Sequence, residues 1–256
     1  MNKLREYITE SSKNINNNSS LSVKLNNTEV VVLEELPDHV NLNRVLRTVS
    51  GLLPDKYFYG LDAIYITQHP DFEKRQVNAF YIEGALYISP DQDNNEDLTN
   101  DIIHEIGHHL EAAMPEEIYA DHVLADEFIS KRQILKRKLI EAGINPGEYD
   151  YTNLKFEEEF DFFLLKDVGY DKLKYITSGL FLNSYSATSL REYFANGFEE
   201  YYLGSKENLN NVSPTLYKKL DELHSLANWK KVTWPKNRTS RIPNLKIGLV
   251  ALIIII

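Results

Sequence analysis

The chain has 256 residues and a hydrophobic content of 43%, which is enough for a sizeable core in one large domain or two small lobes. Its formal net charge of -10 excludes a general electrostatic attraction to nucleic acid phosphates, so no nucleic acid partner is expected. Cysteine is absent, and His, Asp and Glu are therefore the only strong metal ligands in the chain.

The two ends of the chain are predicted to lie outside the folded domain, which we place at 21–230. Residues 1–20 are polar and rich in Asn and Ser, which predicts a mobile leader without the apolar run of a secretory signal. Residues 231–256 are basic and then apolar. Their last segment, IGLVALIIII at 247–256, is shorter than the about 20 residues that a membrane-spanning helix needs. A buried terminal strand, an interfacial tail and a truncated membrane anchor stand as alternatives for it.

The first part of the domain has the pattern of short strands. VKLNNTEVVVLEEL predicts two strands about a turn at Asn26–Asn27. LDAIYIT at 61–67 predicts another, and AFYIEGALYIS at 79–89 predicts a hairpin that turns at Glu83–Gly84. Together these strands predict a small, mostly antiparallel or mixed sheet.

From Asn95 onward the apolar period becomes helical, with Asn94 or Asn95 available as a cap. The next helix is expected to have Pro115 in its first turn and Gly143 just past its end. Strands followed by helices indicate an α+β fold with a mostly helical second lobe. The predicted helices cover 42–53, 95–114, 115–142, 154–166, 189–203 and 214–227.

The sequence His104-Glu105-Ile106-Gly107-His108 is an H-E-x-x-H motif inside one of these predicted helices. Residues at i and i+4 share one face of a helix, so His104 and His108 can both place an imidazole nitrogen about 2.0–2.1 Å from one Zn²⁺ ion. The metal lowers the pKa of a water molecule enough for Glu105 to deprotonate it near neutral pH. The hydroxide can then attack a peptide carbonyl. His109 points about 100° away around the helix and is read as structural.

Two histidines need a third ligand, and two helices offer one. The nearer is PEEIYADHVLADEF, and the farther is SYSATSLREYFANGFEEYYLGS, in which a polar stripe lies beside an apolar face. On the residues alone, both helices remain candidates. The candidate side chains are Glu117, Asp121, His122 and Asp126 on the nearer helix, and Glu192, Asn196 and Glu199 on the farther one.

The farther helix gives the chain its likeness to a known family. A helix with H-E-x-x-H, followed by a Tyr and, seven residues later, by the Glu of an E-[FY]-F-A sequence, resembles the catalytic domain of the anthrax lethal factor and secreted Pro-Pro endopeptidase family. Tyr185 and Glu192-Tyr193-Phe194-Ala195 match this pattern. The resemblance implies a zincin-like metallopeptidase in which Glu192 is the third zinc ligand and the hydroxyl of Tyr185 stabilises the oxyanion or the scissile group.

The chain also departs from that family. Glu192 lies 192 - 108 = 84 residues after His108, which is wider than usual and implies a helical insertion over about 115–165. Asn196 stands where the family often has an acidic residue. In a zincin-like fold, the strand at 85–89 would be an edge strand over the active-site helix, along which a peptide could pair.

The leading hypothesis is therefore a zinc-dependent endopeptidase that acts on a protein or peptide. One alternative is a catalytically silent, lethal-factor-like binding or targeting module, although such a module has no need of Glu105. Another is a protease tethered to a membrane through 247–256. The family resemblance suggests a secreted, toxin-like protein, whereas no signal peptide is present in residues 1–20. The sequence predicts no oligomeric state.

Overall fold

The computed structural model describes residues 21–75 and 77–228. The predicted leader at 1–20, the tail at 231–256 and its expected membrane contact lie outside the described residues. In the described part, the α+β prediction is confirmed: one five-stranded mixed sheet is combined with ten α-helices. None of these helices is both long enough and apolar enough to cross a membrane.

The sheet is formed by five short strands in the order β1-β2-β3-β5-β4. The two predicted turns are confirmed, because Asn26 and Glu83 adopt positive φ angles of 54° and 49° at the β1–β2 and β4–β5 connections. Both hairpins are antiparallel, while β3 pairs in parallel with β2 and with β5. The strands are β1 Leu21–Leu25, β2 Thr28–Val32, β3 Ala63–Ile66, β4 Ala79–Ile82 and β5 Ala85–Ile88.

The prediction that the strand at 85–89 is the edge strand is wrong. β5 is paired on both sides: Ala85 lies opposite Ala63 of β3 and opposite Ile82 of β4. The tight turn at Glu83–Gly84 folds β4 back onto the outer side of β5. Among the strands that the structure describes, the edge of the sheet next to the long motif helix is therefore β4, which pairs there with β5 alone.

The helices cover the sheet and then form the second lobe. Three of them were not predicted, namely Pro70–Arg75, Tyr170–Thr177 and Lys206–Val212, which are only 6, 8 and 7 residues long. Helices of this length depend on tertiary packing more than on their own propensity. The ten helices are α1 Leu42–Leu52, α2 Pro70–Arg75, α3 Asn95–Ala113, α4 Pro115–Tyr119, α5 Val123–Glu141, α6 Glu158–Phe162, α7 Tyr170–Thr177, α8 Leu190–Leu203, α9 Lys206–Val212 and α10 Pro214–Asn228.

The predicted single helix at 115–142 is two helices in the structure. His122 adopts a left-handed backbone with φ 61°, which interrupts the helical hydrogen bonding between α4 and α5. Pro115 at the start of α4 and Gly143 just past the end of α5, with φ 74°, confirm the predicted ends. The predicted helix at 154–166 begins later, as α6, and continues into a π-helical segment at Phe163–Gly169.

The motif helix α3 and helix α8 pack against each other at very short range. A Cβ atom on Gly107 would lie 3.3 Å from the Cα atom of Ala195, which is tighter than most side-chain contacts. Glycine at this position therefore lets the two helix backbones approach closely. This approach brings the residues of α8 next to the two motif histidines.

Arg132 on α5 holds the second lobe together from inside its core. The side chain is fully buried, Nη1 donates to the carbonyl of Asn153 at 2.6 Å, and the guanidinium lies 4.2 Å from the ring centre of Phe160. Burial lowers its pKa to about 10, so the group remains a cation at neutral pH.

We expect Arg132→Met to lower the free energy of unfolding by about 2–4 kcal/mol, because it removes the charged donor to the partly buried carbonyl of Asn153 and the cation–π contact with Phe160. Urea unfolding followed by circular dichroism measures this loss. Arg137→Met, an exposed change on the same helix, is the matched control and should have an effect within about 0.5 kcal/mol. Equal stability of the two variants would contradict the role given to Arg132.

Candidate metal centre

The first part of the site is built by helix α3. The side chain of Asn94 caps this helix by accepting hydrogen bonds from the backbone N–H groups of Glu96 and Asp97, so the motif lies wholly in regular helix. His104 and His108 stand one turn apart, with their ring centres 4.9 Å from each other. The expected pairing of the two imidazoles on one helix face is thus present.

The second part comes from helix α8. The hydroxyl of Ser189 caps α8 by accepting a hydrogen bond from the N–H of Glu192, which fixes this residue in the first helical turn. Its Oε2 lies 3.3 Å from Nε2 of His104, and its Oε1 lies 3.4 Å from Nε2 of His108. The structure therefore brings together the predicted ligand set of His104, His108 and Glu192.

The nearer helix does not supply a competing ligand. Glu117 and Asp126 are exposed, and Asp121 forms an ion pair with Lys219, with 2.5 Å between Nζ and Oδ2. His122 is exposed at the left-handed turn before α5. None of these side chains has a described contact with His104 or His108, so the geometry favours Glu192.

The distances from Glu192 to the two imidazole nitrogens match those between ligand atoms of a tetrahedral metal ion, with a different carboxylate oxygen facing each imidazole. Ligand atoms about 2.05 Å from a tetrahedral ion are separated from one another by about 3.3 Å, which matches both distances from Glu192 to the imidazole nitrogens. In addition, Oε2 of Glu192 is buried, and apart from its 3.3 Å contact with Nε2 of His104 it has no hydrogen-bond partner. Buried carboxylate oxygens are rarely left in this state. The arrangement therefore fits a metal with mixed nitrogen and oxygen ligands.

Glu105 is a second carboxylate close to the two imidazoles. One potential ligand atom from each of His104, Glu105 and His108 lies within 4.8 Å of the others. Glu105 is 6% exposed, and its Oε2 has no hydrogen-bond partner. Since the oxygens of Glu192 contact both Nε2 atoms directly, Glu192 suits the role of ligand and Glu105 that of a base beside the metal position.

Tyr185 lies near enough to Glu192 and Glu105 that, after burial, their carboxylates help to raise the pKa of its hydroxyl well above the usual value. A short hydrogen-bonded turn carries it. Its hydroxyl is buried and has no hydrogen-bond partner. Oδ1 of Asn183 accepts hydrogen bonds from the backbone N–H and the hydroxyl of Ser186, and Nδ2 of Asn183 donates to Asn196 on α8. Asn196 stands where the resembled family often has an acidic residue. Its hydrogen bond with Asn183 links the turn that carries Tyr185 to the helix that carries Glu192.

The outer nitrogen of each imidazole faces a further carboxylate. Nδ1 of His104 lies 3.3 Å from Oε2 of Glu199, and Nδ1 of His108 lies 2.9 Å from Oε2 of Glu111. Glu111 was not predicted as a residue of the site. Its position three residues after His108 on the same helix was the signal that could have identified it.

The electrostatics of the site favour a cation. Burial lowers the pKa of His104, but the carboxylates of Glu192 and Glu199 outweigh burial and raise it well above the usual value. Burial raises the pKa of Glu192, but His108 and His104 outweigh it, and the net effect is a lowered pKa. Asp161 nearby is also buried, and burial followed by repulsion from Glu192 raises its pKa to about 7. A divalent cation would balance these clustered carboxylates.

His109 faces away from the two motif histidines. Its Nε2 lies 3.1 Å from the carbonyl oxygen of Tyr59, and its ring packs against Tyr81 on the edge strand β4 with 5.4 Å between ring centres. Burial lowers its pKa to about 4, so the imidazole is neutral at physiological pH. These contacts join α3 to the sheet, in keeping with a structural role.

Comparisons with known proteins identify no relative. No protein-family model matches the chain, and neither a curated protein nor a solved structure matches it significantly. Any assignment of function therefore depends on the residues and geometry of the site.

Proposed function

We propose that the protein is a zinc-dependent endopeptidase with a zincin-like, lethal-factor-like catalytic site. One observation carries the proposal: the carboxylate of Glu192 lies 3.3 Å from Nε2 of His104 and 3.4 Å from Nε2 of His108. Beside these imidazoles lies the buried Oε2 of Glu105, which makes no hydrogen bond. His104, His108 and Glu192 would hold the zinc. Neutral imidazoles with one carboxylate are a common ligand set of catalytic zinc.

The bound zinc would supply Lewis acidity toward water and toward the carbonyl of the scissile peptide bond. Glu105 accepts a proton from the attacking water as the new C–O bond forms, and it then delivers this proton to the amide nitrogen as the C–N bond breaks. The hydroxyl of Tyr185 donates a hydrogen bond to the oxygen that gains negative charge. Its buried position keeps competing water away from that donor.

The edge strand β4 offers a peptide substrate a place to bind. Ala79–Ile82 pairs with β5 along one side only, and it lies against the motif helix α3. An extended peptide can add to such an edge through backbone hydrogen bonds, which favours a protein or peptide substrate. We accordingly assign substrate pairing to 79–82 instead of 85–89.

The position of Glu105 favours an enzyme over a silent binding module. A structural metal site satisfies its ligands completely and needs no additional buried carboxylate beside them. Glu105 is nevertheless buried at the two imidazoles, with one oxygen that accepts no hydrogen bond. Burying a carboxylate oxygen that makes no hydrogen bond lowers the stability of the fold. A role of Glu105 as the general base explains why the protein keeps it there.

We expect the purified full-length chain to bind one zinc ion and to cleave members of a proteome-derived peptide library. Removal of zinc with a chelator should abolish cleavage, and addition of zinc should restore it. Mass spectrometry of the products measures both effects and gives the cleavage-site preference. Absence of cleavage by the zinc-loaded protein across the whole library would overturn the peptidase assignment.

A further inference from the structure

The carboxylate of Glu111 lies at the centre of a buried network behind the metal site. It is 9% exposed, and each of its oxygens has a different partner. Oε2 lies 2.9 Å from Nδ1 of His108, and Oε1 accepts a hydrogen bond from the hydroxyl of Tyr119. Glu192 contacts Nε2 of His108, whereas Glu111 contacts Nδ1 on the other side of the same ring. Glu111 therefore contacts the imidazole without approaching the metal position.

A metal ion bound at Nε2 of His108 would leave the hydrogen of the ring on Nδ1, the nitrogen that lies 2.9 Å from Oε2 of Glu111. An ionised carboxylate only accepts hydrogen bonds, so Nδ1 of His108 carries the hydrogen and donates it to Glu111. The lone pair of His108 then lies on Nε2, the nitrogen that contacts Glu192 at 3.4 Å. Nε of Arg191 is oriented to donate to the same Nδ1 at 3.1 Å. With a hydrogen on Nδ1 that hydrogen bond is lost, and Arg191 keeps its ion pair with Oε2 of Glu111 at 3.6 Å.

Helix α4 is fixed so that Tyr119 faces Glu111. The five-residue helix begins at Pro115, and the fully buried side chain of Ile118 anchors it to the core. The ring of Tyr119 lies 6.2 Å from that of Phe194 on α8. The acidic helix after the motif thus supplies a phenol hydroxyl to the site instead of a metal ligand.

We propose that Glu111 and Tyr119 are positioning residues of the metal centre: Tyr119 holds Glu111, and Glu111 holds His108 with Nε2 directed at the metal. This inference rests on the proposed zinc site and adds a function for helix α4. Outer partners that orient a metal-bound histidine typically contribute 10- to 100-fold to metal affinity.

The test is the zinc dissociation constant of the full-length chain, measured by competition with a chromophoric chelator. We expect Glu111→Gln to bind zinc about 10- to 100-fold more weakly than wild type, and Tyr119→Phe about 3- to 10-fold more weakly. In the double variant, Tyr119→Phe should add less than about twofold to the effect of Glu111→Gln, because it acts through Glu111. The Co²⁺-loaded single variants should show an altered visible absorption spectrum, which general destabilisation would not produce.

Two exposed residues provide matched controls. Glu116→Gln removes a carboxylate from α4, and Tyr175→Phe removes the hydroxyl of a tyrosine that is 84% exposed. Both should bind zinc as wild type does. Tyr119→Phe deletes a single hydroxyl group, so it tests the proposal even if Glu111→Gln does not fold.

The proposal is overturned if Glu111→Gln or Tyr119→Phe retains wild-type zinc affinity, or if their effects are fully additive. It fails separately from the proposed function, because His108→Ala reports on the zinc site itself. Loss of zinc in His108→Ala with full retention in Glu111→Gln rejects the positioning role alone. Absence of zinc binding by the wild type rejects both.

Discussion

We expect Glu105→Gln to lower kcat for peptide cleavage by about 10²- to 10⁴-fold while zinc content remains at the wild-type level. The amide has nearly the shape of the carboxylate but cannot accept the proton of the attacking water. Glu105 is buried beside the imidazoles, whereas Glu192 makes the contacts expected of the ligand. The loss should therefore fall on the chemical step and leave metal binding intact.

This result is measured as kcat and KM on one peptide identified from the library, together with zinc content by elemental analysis. Glu116→Gln, which changes an exposed carboxylate outside the site, is the control and should retain full activity. Wild-type kcat in Glu105→Gln would exclude Glu105 as the base. Loss of zinc from the variant would instead make Glu105 a ligand and contradict the division of roles between the two carboxylates.

The second large effect is expected for Glu192→Ala. This change removes the only carboxylate whose described contacts reach Nε2 of both His104 and His108. We expect zinc affinity to fall by more than about 100-fold, which is the largest loss expected when only an outer partner of a ligand is removed. Activity should fall with zinc affinity. Alanine is a strong helix former, so α8 should remain folded.

Glu117→Ala and Asp121→Ala are the informative comparisons, because they delete the carboxylates that the sequence offered as rivals. Both should keep wild-type zinc affinity. Asp121→Ala should lower the stability of the fold, because it leaves the ammonium group of Lys219, whose side chain is only 8% exposed, without its carboxylate partner. Retained zinc in Glu192→Ala, or lost zinc in Asp121→Ala, would overturn the assignment of the third ligand.

The parts of the fold that the sequence predicted correctly depend on local chemistry. The positive φ angles at Asn26 and Glu83 allow tight turns, so the hairpins could be located from a few residues. The apolar period of α8 predicted that helix to within one residue, and in the structure Ser189 caps its start. The spacing of His104 and His108 likewise placed them on one face of α3.

The errors arose where distant packing decides the outcome. The predicted hairpin placed β4 on one side of 85–89, but nothing in these residues indicates that β3 occupies the other side, because strand order depends on how remote segments pair. The interruption at His122 was also missed, since the apolar period continues across it while the backbone turns. The left-handed conformation there is maintained by the packing of α4 and α5 and not by a glycine.

The sequence by itself determined one half of the candidate site, because helical geometry fixes the relation of His104, Glu105 and His108 within five residues. It offered several carboxylates for the other half and could not choose among them on chemistry alone. The tertiary structure places Glu192, 84 residues from His108, against both imidazoles, because Gly107 allows α3 and α8 to approach closely enough for contact. It also placed Glu111 and Tyr119 behind His108, an arrangement that arises from the packing of three helices.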